Sequence, residues 1–153
     1  MKSCTFFGHR DTNKEIEPII KSTLIELIEK KNVDTFYVGN NGNFDTMVKN
    51  TLKVLKIIYP QINYFIVYSY AKTHKQEDLN AIYPVFLKSN VLSPIPRRNE
   101  WMIERSDYVV TYVTKTYGGA ARFKRYSQKS GKFVIELSYK SRFWTPLCHV
   151  LPP

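Results

Sequence analysis

Cysteine is almost absent from this chain, and its two copies, Cys4 and Cys148, sit near opposite ends with no CxxC spacing. That pattern offers neither a disulfide framework nor a zinc site, so no metal is expected. Long apolar runs are missing as well. Nothing approaches the ~18 apolar residues of a membrane span, and no signal-peptide apolar region is present, so neither membrane contact nor export is expected. A reducing, cytoplasmic setting follows as the simplest expectation. There are no internal repeats and no low-complexity tract. Neither a GxGxxG fingerprint nor a Walker A loop occurs, since Gly-Lys-Ser/Thr is lacking, and no cofactor is called for. Acids are the last scarcity: 13 Asp and Glu stand against 23 Lys and Arg, a formal charge of +10. Such an excess favours anionic partners, whether nucleotides, phosphates or nucleic acid.

What is present suits a single folded domain. At 153 residues and 43% hydrophobic content, the chain has enough apolar material for one core and is not a candidate for wholesale disorder. The basic residues cluster. Between positions 115 and 142, Lys115, Arg122, Lys124, Arg125, Lys129, Lys132, Lys140 and Arg142 face one acid, Glu136. A solvated face and an anion-binding surface both fit that run.

Strand and helix signals alternate along the chain. Residues 3–7 (SCTFF) read as a buried strand closed by Gly8. The next segment, 11–31, places Ile16, Ile19, Ile20, Leu24, Leu27 and Ile28 at spacings of three and four, which predicts an amphipathic helix. Asp11, Thr12 or Asn13 can cap it, and Pro18 is tolerable in its first turn. A second strand spans 34–39. A second helix follows at 43–59, with Phe44, Met47, Val48, Leu52 and Leu55 on one face. A third strand is predicted at 62–70, a weak helix near Glu77 to Phe86, and a loop holding Pro94 and Pro96. A short helix at 97–106, a strand at 107–114, a helix within 118–131 and a strand at 132–137 complete the pattern.

This order predicts an α/β protein: a Rossmann-like parallel sheet of about five strands with helices on both faces, linked by right-handed crossovers. Residues 1–138 form the expected domain, and 139–153 a C-terminal tail of no evident period. Ligands of such sheets bind outside the carboxyl ends of the strands, where the strand order reverses. The unusual residues fall at those ends. They are Gly8, His9 and Arg10 after the first strand, and Gly39, Asn40, Gly42, Asn43 and Asp45 after the second. Arg97, Arg98, Asn99 and Glu100 precede the fourth strand, and Tyr117, Gly118 and Gly119 follow it. Glycines let backbone N–H groups approach an oxyanion, helix N-termini carry partial positive charge, and Arg is a forked phosphate donor. Asn40, Asn43 and Asp45 suit ribose hydroxyls or a base edge. A glycine after a strand also serves as a plain turn, and a lone histidine is commonly structural.

These residues carry a resemblance. Strand–Gly-His-Arg, strand–Gly-x-x-Gly-x-x-Asp, Arg-Asn-x-x-Met before Ser-Asp and an apolar strand, and Tyr-Gly-Gly together resemble the SLOG superfamily. It groups the DprA (SMF) proteins with the LOG phosphoribohydrolases, and the likeness is closest to the small YpsA-like proteins of Firmicutes and their phages. The resemblance spans about residues 3–137 and implies a Rossmann-like nucleotide-binding domain. It places Gly8, His9 and Arg10 in one ligand loop, Gly39, Gly42 and Asp45 in a second, the pair Arg98 and Asn99 in a third, and Gly118 and Gly119 in a phosphate-contacting turn. LOG enzymes carry Pro-Gly-Gly-x-Gly-Thr-x-x-Glu at that turn; here the proline, third glycine, threonine and glutamate are all missing.

Three functions follow as expectations. The first is binding of a nucleotide or nucleotide-derived ligand, such as an ADP-ribose-like signal, by a sensor or sequestering protein. The second is an enzyme cleaving an N-glycosidic bond, a phosphoribohydrolase or deoxyribosyltransferase using Asp45 or Glu100 as the carboxylate that stabilises the oxocarbenium-like centre or activates water. The third is DprA-like binding of single-stranded nucleic acid, with Tyr117, Phe123, Tyr126 and Phe133 interleaved among the basic residues. A homo-oligomer is compatible with the apolar helix faces.

Overall fold

The computed structural model describes residues 1–70, 80–84 and 92–138. The expected tail at 139–153, with Cys148, Lys140 and Arg142, lies outside the described residues, as do both ends of the weak helix expected near 77–86.

Ten principal elements run in the order β1 (Ser3–Gly8), α1 (Glu17–Lys31), β2 (Thr35–Val38), α2 (Asn43–Ile58), β3 (Asn63–Val67), β4 (Ala81–Ile82), α3 (Pro94–Glu104), β5 (Tyr108–Tyr112), α4 (Gly119–Lys129) and β6 (Phe133–Glu136). The strands form one all-parallel sheet in the order β4-β3-β2-β1-β5-β6. The α/β, Rossmann-like expectation holds, with one strand more than the five expected.

Period-two alternation sends neighbouring side chains of β1 to opposite faces. Cys4 and Phe6 join a core with Leu24, Leu27, Phe44 and Leu52 of α1 and α2. Phe7 joins a second core with Met102, Ile103 and Phe123 of α3 and α4. Each face of the sheet is therefore sealed by its own pair of helices, as right-handed crossovers require.

Local chemistry sets the element ends. Of the three candidate caps, Asn13 caps a short 3-10 turn, Lys14–Ile16, that leads into α1, its side chain accepting the Glu15 N–H at 3.1 Å; α1 itself has no side-chain cap. Asn32 closes the helix in the left-handed conformation (φ 56°), with Lys30 and Lys31 in the last turn. Two expectations need correction. The 80–84 portion of the weak helix is instead β4, which pairs Ala81 and Ile82 with Ile66 and Val67. The backbone groups along the edge of β3 need partners, and that need outweighs a weak helical period. Pro94 and Pro96 are in the first turn of α3 rather than in a loop, because the first N–H groups of a helix have no partner to lose.

The chain runs outward from β1 through β2 and β3 to β4, then returns to lay β5 against the other side of β1. The reversal therefore falls between the carboxyl ends of β1 and β5. No helix among the described residues is long and apolar enough to cross a membrane.

Candidate functional site

A cleft of about 380 Å³ opens at that reversal point. The end of β1 contributes Gly8, His9, Arg10 and Asp11. Asn41 and Asp45 come from the start of α2, and Arg98, Asn99 and Met102 from α3. Lys115, Tyr117, Gly118 and Gly119 come from the β5–α4 connection.

Two glycine turns lead into helices here, and their N-termini differ. At α2 the first N–H group is taken and a carboxyl already stands in the first turn. The Asn43 N–H donates to the Arg10 carbonyl at 2.9 Å, and the Asn41 N–H to Asp45 Oδ2 at 2.9 Å. Gly42 permits this closeness, since a Cβ there would come within 2.5 Å of the Arg10 Cα. At α4 the groups are open. Gly118 caps the helix with no side-chain acceptor, and no acid lies in the first turn. Among the described residues nothing accepts from the N–H groups of Gly119, Ala120 or Ala121; the first bond is Arg122 N–H to the Gly118 carbonyl at 3.1 Å. Gly118 adopts φ +91° and ψ 177°, a region essentially confined to glycine. A Cβ added at Gly118 or Gly119 would meet nothing within 4 Å. The result is a set of unpaired donors at the positive end of a helix dipole.

Cations flank those donors. Arg10 is exposed and has no acid within 4.0 Å among the described residues. Lys115 pairs with Asp11 across the rim at 3.0 Å, which raises the lysine's pKa and lowers the carboxyl's. Tyr117, 70% exposed, offers a ring at the mouth.

His9 faces another way. Its Nε2 accepts the Thr114 N–H at 3.0 Å and the Lys115 N–H at 3.4 Å, so the neutral ring carries its proton on Nδ1. Burial and then the Lys115 charge lower its pKa, against a smaller opposing effect of Asp11.

The floor holds a buried carboxyl and a buried guanidinium. Arg98, only 2% exposed, donates through Nε to Asn99 Oδ1 (2.7 Å) and through Nη1 to Asn40 Oδ1 (3.1 Å) and the Val67 carbonyl (2.9 Å). It thereby braces α3 against the ends of β2 and β3. Burial pushes the Asp45 pKa up to about 6, despite the Asn41 N–H and the charges of Arg98 and Arg10. Gly39 lies between the two groups: a Cβ there would sit 2.6 Å from Asp45 Oδ2 and 2.9 Å from Arg98 Nη1. Asn41 Nδ2 is buried without a partner among the described residues.

Of the residues expected from sequence, Gly8, His9, Arg10, Asp45, Arg98, Asn99, Tyr117, Gly118 and Gly119 line the cleft. Gly39, Asn40, Gly42 and Asn43 support its walls, as described above. Arg97 is exposed and Glu100 half-buried on α3, and neither lines it. Lys115, Asp11 and Asn41 line the cleft and were not among the expected residues. Lys115 directly follows the strand expected at 107–114, a position that could have flagged it. Nothing in sequence indicated that Asp11 would pair across 104 residues. The described residues hold no cluster of potential metal ligands.

No protein-family model matches the sequence, and no curated protein matches it. The fold is similar to that of two solved proteins. One is DNA processing protein A from Helicobacter pylori, described for its single-stranded DNA binding mode, with a TM-score of 0.64 at 15% identity. The other is DNA processing protein A (DprA) from Streptococcus pneumoniae, with a TM-score of 0.66 at 13% identity. Each likeness covers 92% of this chain, which spans 67% of the first protein and 52% of the second. At these identities the shared property is the fold alone.

Proposed function

We propose that this chain binds single-stranded nucleic acid, seating one phosphate-bearing nucleotide unit in the cleft between β1 and β5. The observation that carries the reading is the open N-terminus of α4. Its unpaired N–H groups, the bare Gly118–Gly119 backbone and the flanking Arg10 and Lys115 together suit an oxyanion. The net charge of +10 supplies the long-range attraction, and Tyr117 offers a stacking surface. Likeness in fold to a single-stranded DNA binding protein supports the same choice. The compartment we assign is the cytoplasm.

Titration of a fluorescent single-stranded oligonucleotide across a salt series tests the proposal. Affinity should fall with salt, with a slope of about −0.7 per phosphate contacted, and Arg10→Ala should flatten that slope by roughly one contact. Binding that ignores both salt and Arg10 would refute it.

The cleft volume favours a second reading, a free nucleotide or nucleotide-derived ligand, because about 380 Å³ is within the range of small-ligand sites. A mononucleotide panel that stabilises the protein by ~2–4 kcal/mol at saturation, with no oligonucleotide binding, would favour it. For N-glycosidic cleavage the available acid is Asp45, whose raised pKa suits a proton donor. Release of free base by wild type but not by Asp45→Asn would establish that chemistry.

A further inference from the structure

Among the described residues, the β5–α4 connection, which carries Lys115, Tyr117, Gly118 and Gly119, is joined by side chains to its surroundings at few points. Two lie on the surface: the Lys115–Asp11 pair, and Arg125 Nη1 donating to the Thr116 carbonyl at 3.3 Å. The third is His9, whose Nε2 accepts from two successive N–H groups at the start of that connection. The backbone of His9 is fixed in turn, because its carbonyl accepts from Thr12 Oγ1 at 2.6 Å and from the Thr12 N–H at 3.2 Å. The ring is thus anchored on the β1 side and grips the β5 side.

We propose that His9 is a positioning residue: its neutral ring latches the β5–α4 connection in the shape that opens the α4 N-terminus, and a second ring proton releases it. The ligand half of this proposal rests on the function proposed above; the latch itself does not.

The chemistry sets the sign. Protonation turns Nε2 from an acceptor into a donor facing two other donors, which leaves the Thr114 and Lys115 N–H groups unpaired. A histidine that simply contributed positive charge to a phosphate would behave oppositely and bind better in acid. Charged groups from every side bear on the ring. Lys115 from the β5–α4 connection disfavours protonation, and Asp11 from the β1 loop favours it; these two are already paired with each other. Arg10 adjoins His9, while α2 and α3 place Asp45 and Arg98 in the same cleft. Burial and Lys115 prevail and hold the ring neutral near pH 7, so the latch is closed there and opens as the pH falls below the ordinary histidine range.

Asp45 titrates over a neighbouring interval and acts in the other direction, since neutralising it makes the cleft more attractive to anions. The experiment therefore compares the wild type with Asp45→Asn, each with and without His9→Phe. Two measurements need no ligand: ring 15N shifts, which report the tautomer, and hydrogen exchange at the Thr114 and Lys115 amides. The expected result is an Nδ1–H ring at pH 7.5 and faster exchange of both amides, relative to the amides of β5, at pH 5. The third is affinity for a 5′-phosphorylated oligonucleotide. In the Asp45→Asn background it should fall ~3–10-fold from pH 7.5 to 5, the scale of one hydrogen-bonded contact, and become pH-independent with His9→Phe. His9→Gln, which retains a neutral acceptor, should keep more affinity at pH 7.5 than His9→Phe. An Nε2–H ring at neutral pH, unchanged amide exchange, or tighter binding in acid in the Asp45→Asn background would each overturn the latch. If no oligonucleotide binds at any pH, the proposed function fails, and the ring and amide measurements still decide the latch.

Discussion

Replacing Asp45 with Asn removes a charge that burial disfavours. Asp45 is 9% exposed, and burial outweighs both its hydrogen bond from the Asn41 N–H and the attraction of Arg98. Moving a carboxyl from its ordinary 3.8 to about 6 corresponds to about 3 kcal/mol, at ~1.4 kcal/mol per tenfold change in acidity. The folded-state pKa is raised, so the folded protein holds this proton more tightly than the unfolded chain does. The contribution is complete below about pH 4 and is lost as the pH rises through about 6. Asn cannot ionise, can still accept the Asn41 N–H, and leaves the three Arg98 bonds in place. Asp45→Asn should therefore be close to wild type in stability at pH 4 and more stable by about 1–3 kcal/mol at pH 8. Urea denaturation of both proteins from pH 4 to 8 measures this, and the difference between the two curves cancels the opposing titration of His9. A variant less stable than wild type at pH 8, or a difference that does not change with pH, would refute the reasoning. It would mean that Arg98 holds Asp45 as a true ion pair.

Gly39→Ala should destabilise the fold by about 1–3 kcal/mol, because its Cβ would force the Asp45 carboxyl and the Arg98 guanidinium apart in a packed site. Chemical denaturation checks this, and a neutral outcome would show that the floor can yield. The two glycines of the α4 turn should separate cleanly. Gly118→Ala strains the backbone at φ +91° and should cost about 1–3 kcal/mol in the same assay. Gly119→Ala, with open space around it, should change stability by less than about 1 kcal/mol yet weaken oligonucleotide binding, because a methyl group would stand before the open N–H groups. Equal binding by Gly119→Ala and wild type would place the ligand elsewhere.

Gly42 and Gly118 also show why residues that look alike in sequence part company in the fold. Both helices α2 and α4 begin on a glycine with positive φ and lack a side-chain cap. One has its first N–H taken by the Arg10 carbonyl and carries the Asp45 carboxyl in its first turn, while the other has neither among the described residues. Similarly, the Arg97–Arg98 pair divides into a solvent-facing residue and a buried brace, because a helix turns 100° between neighbours.

The sequence by itself determined the layered α/β architecture. The patterns of its apolar residues, a spacing of two in Cys4 and Phe6 and of three to four in Leu24, Leu27 and Ile28, are local and survive translation into structure. It also located the cleft, since glycine, cation and amide residues fell at successive strand ends. Only tertiary structure decided what each residue does there. Whether His9 faces a ligand or the Thr114 amide, whether Arg98 is free or braced, and whether Asp45 is solvated or buried depend on neighbours remote in sequence. Strand pairing brings those neighbours together across separations of up to 106 residues. Hydrogen bonding and desolvation act over a few ångströms in space, and no local pattern in the chain encodes those distances.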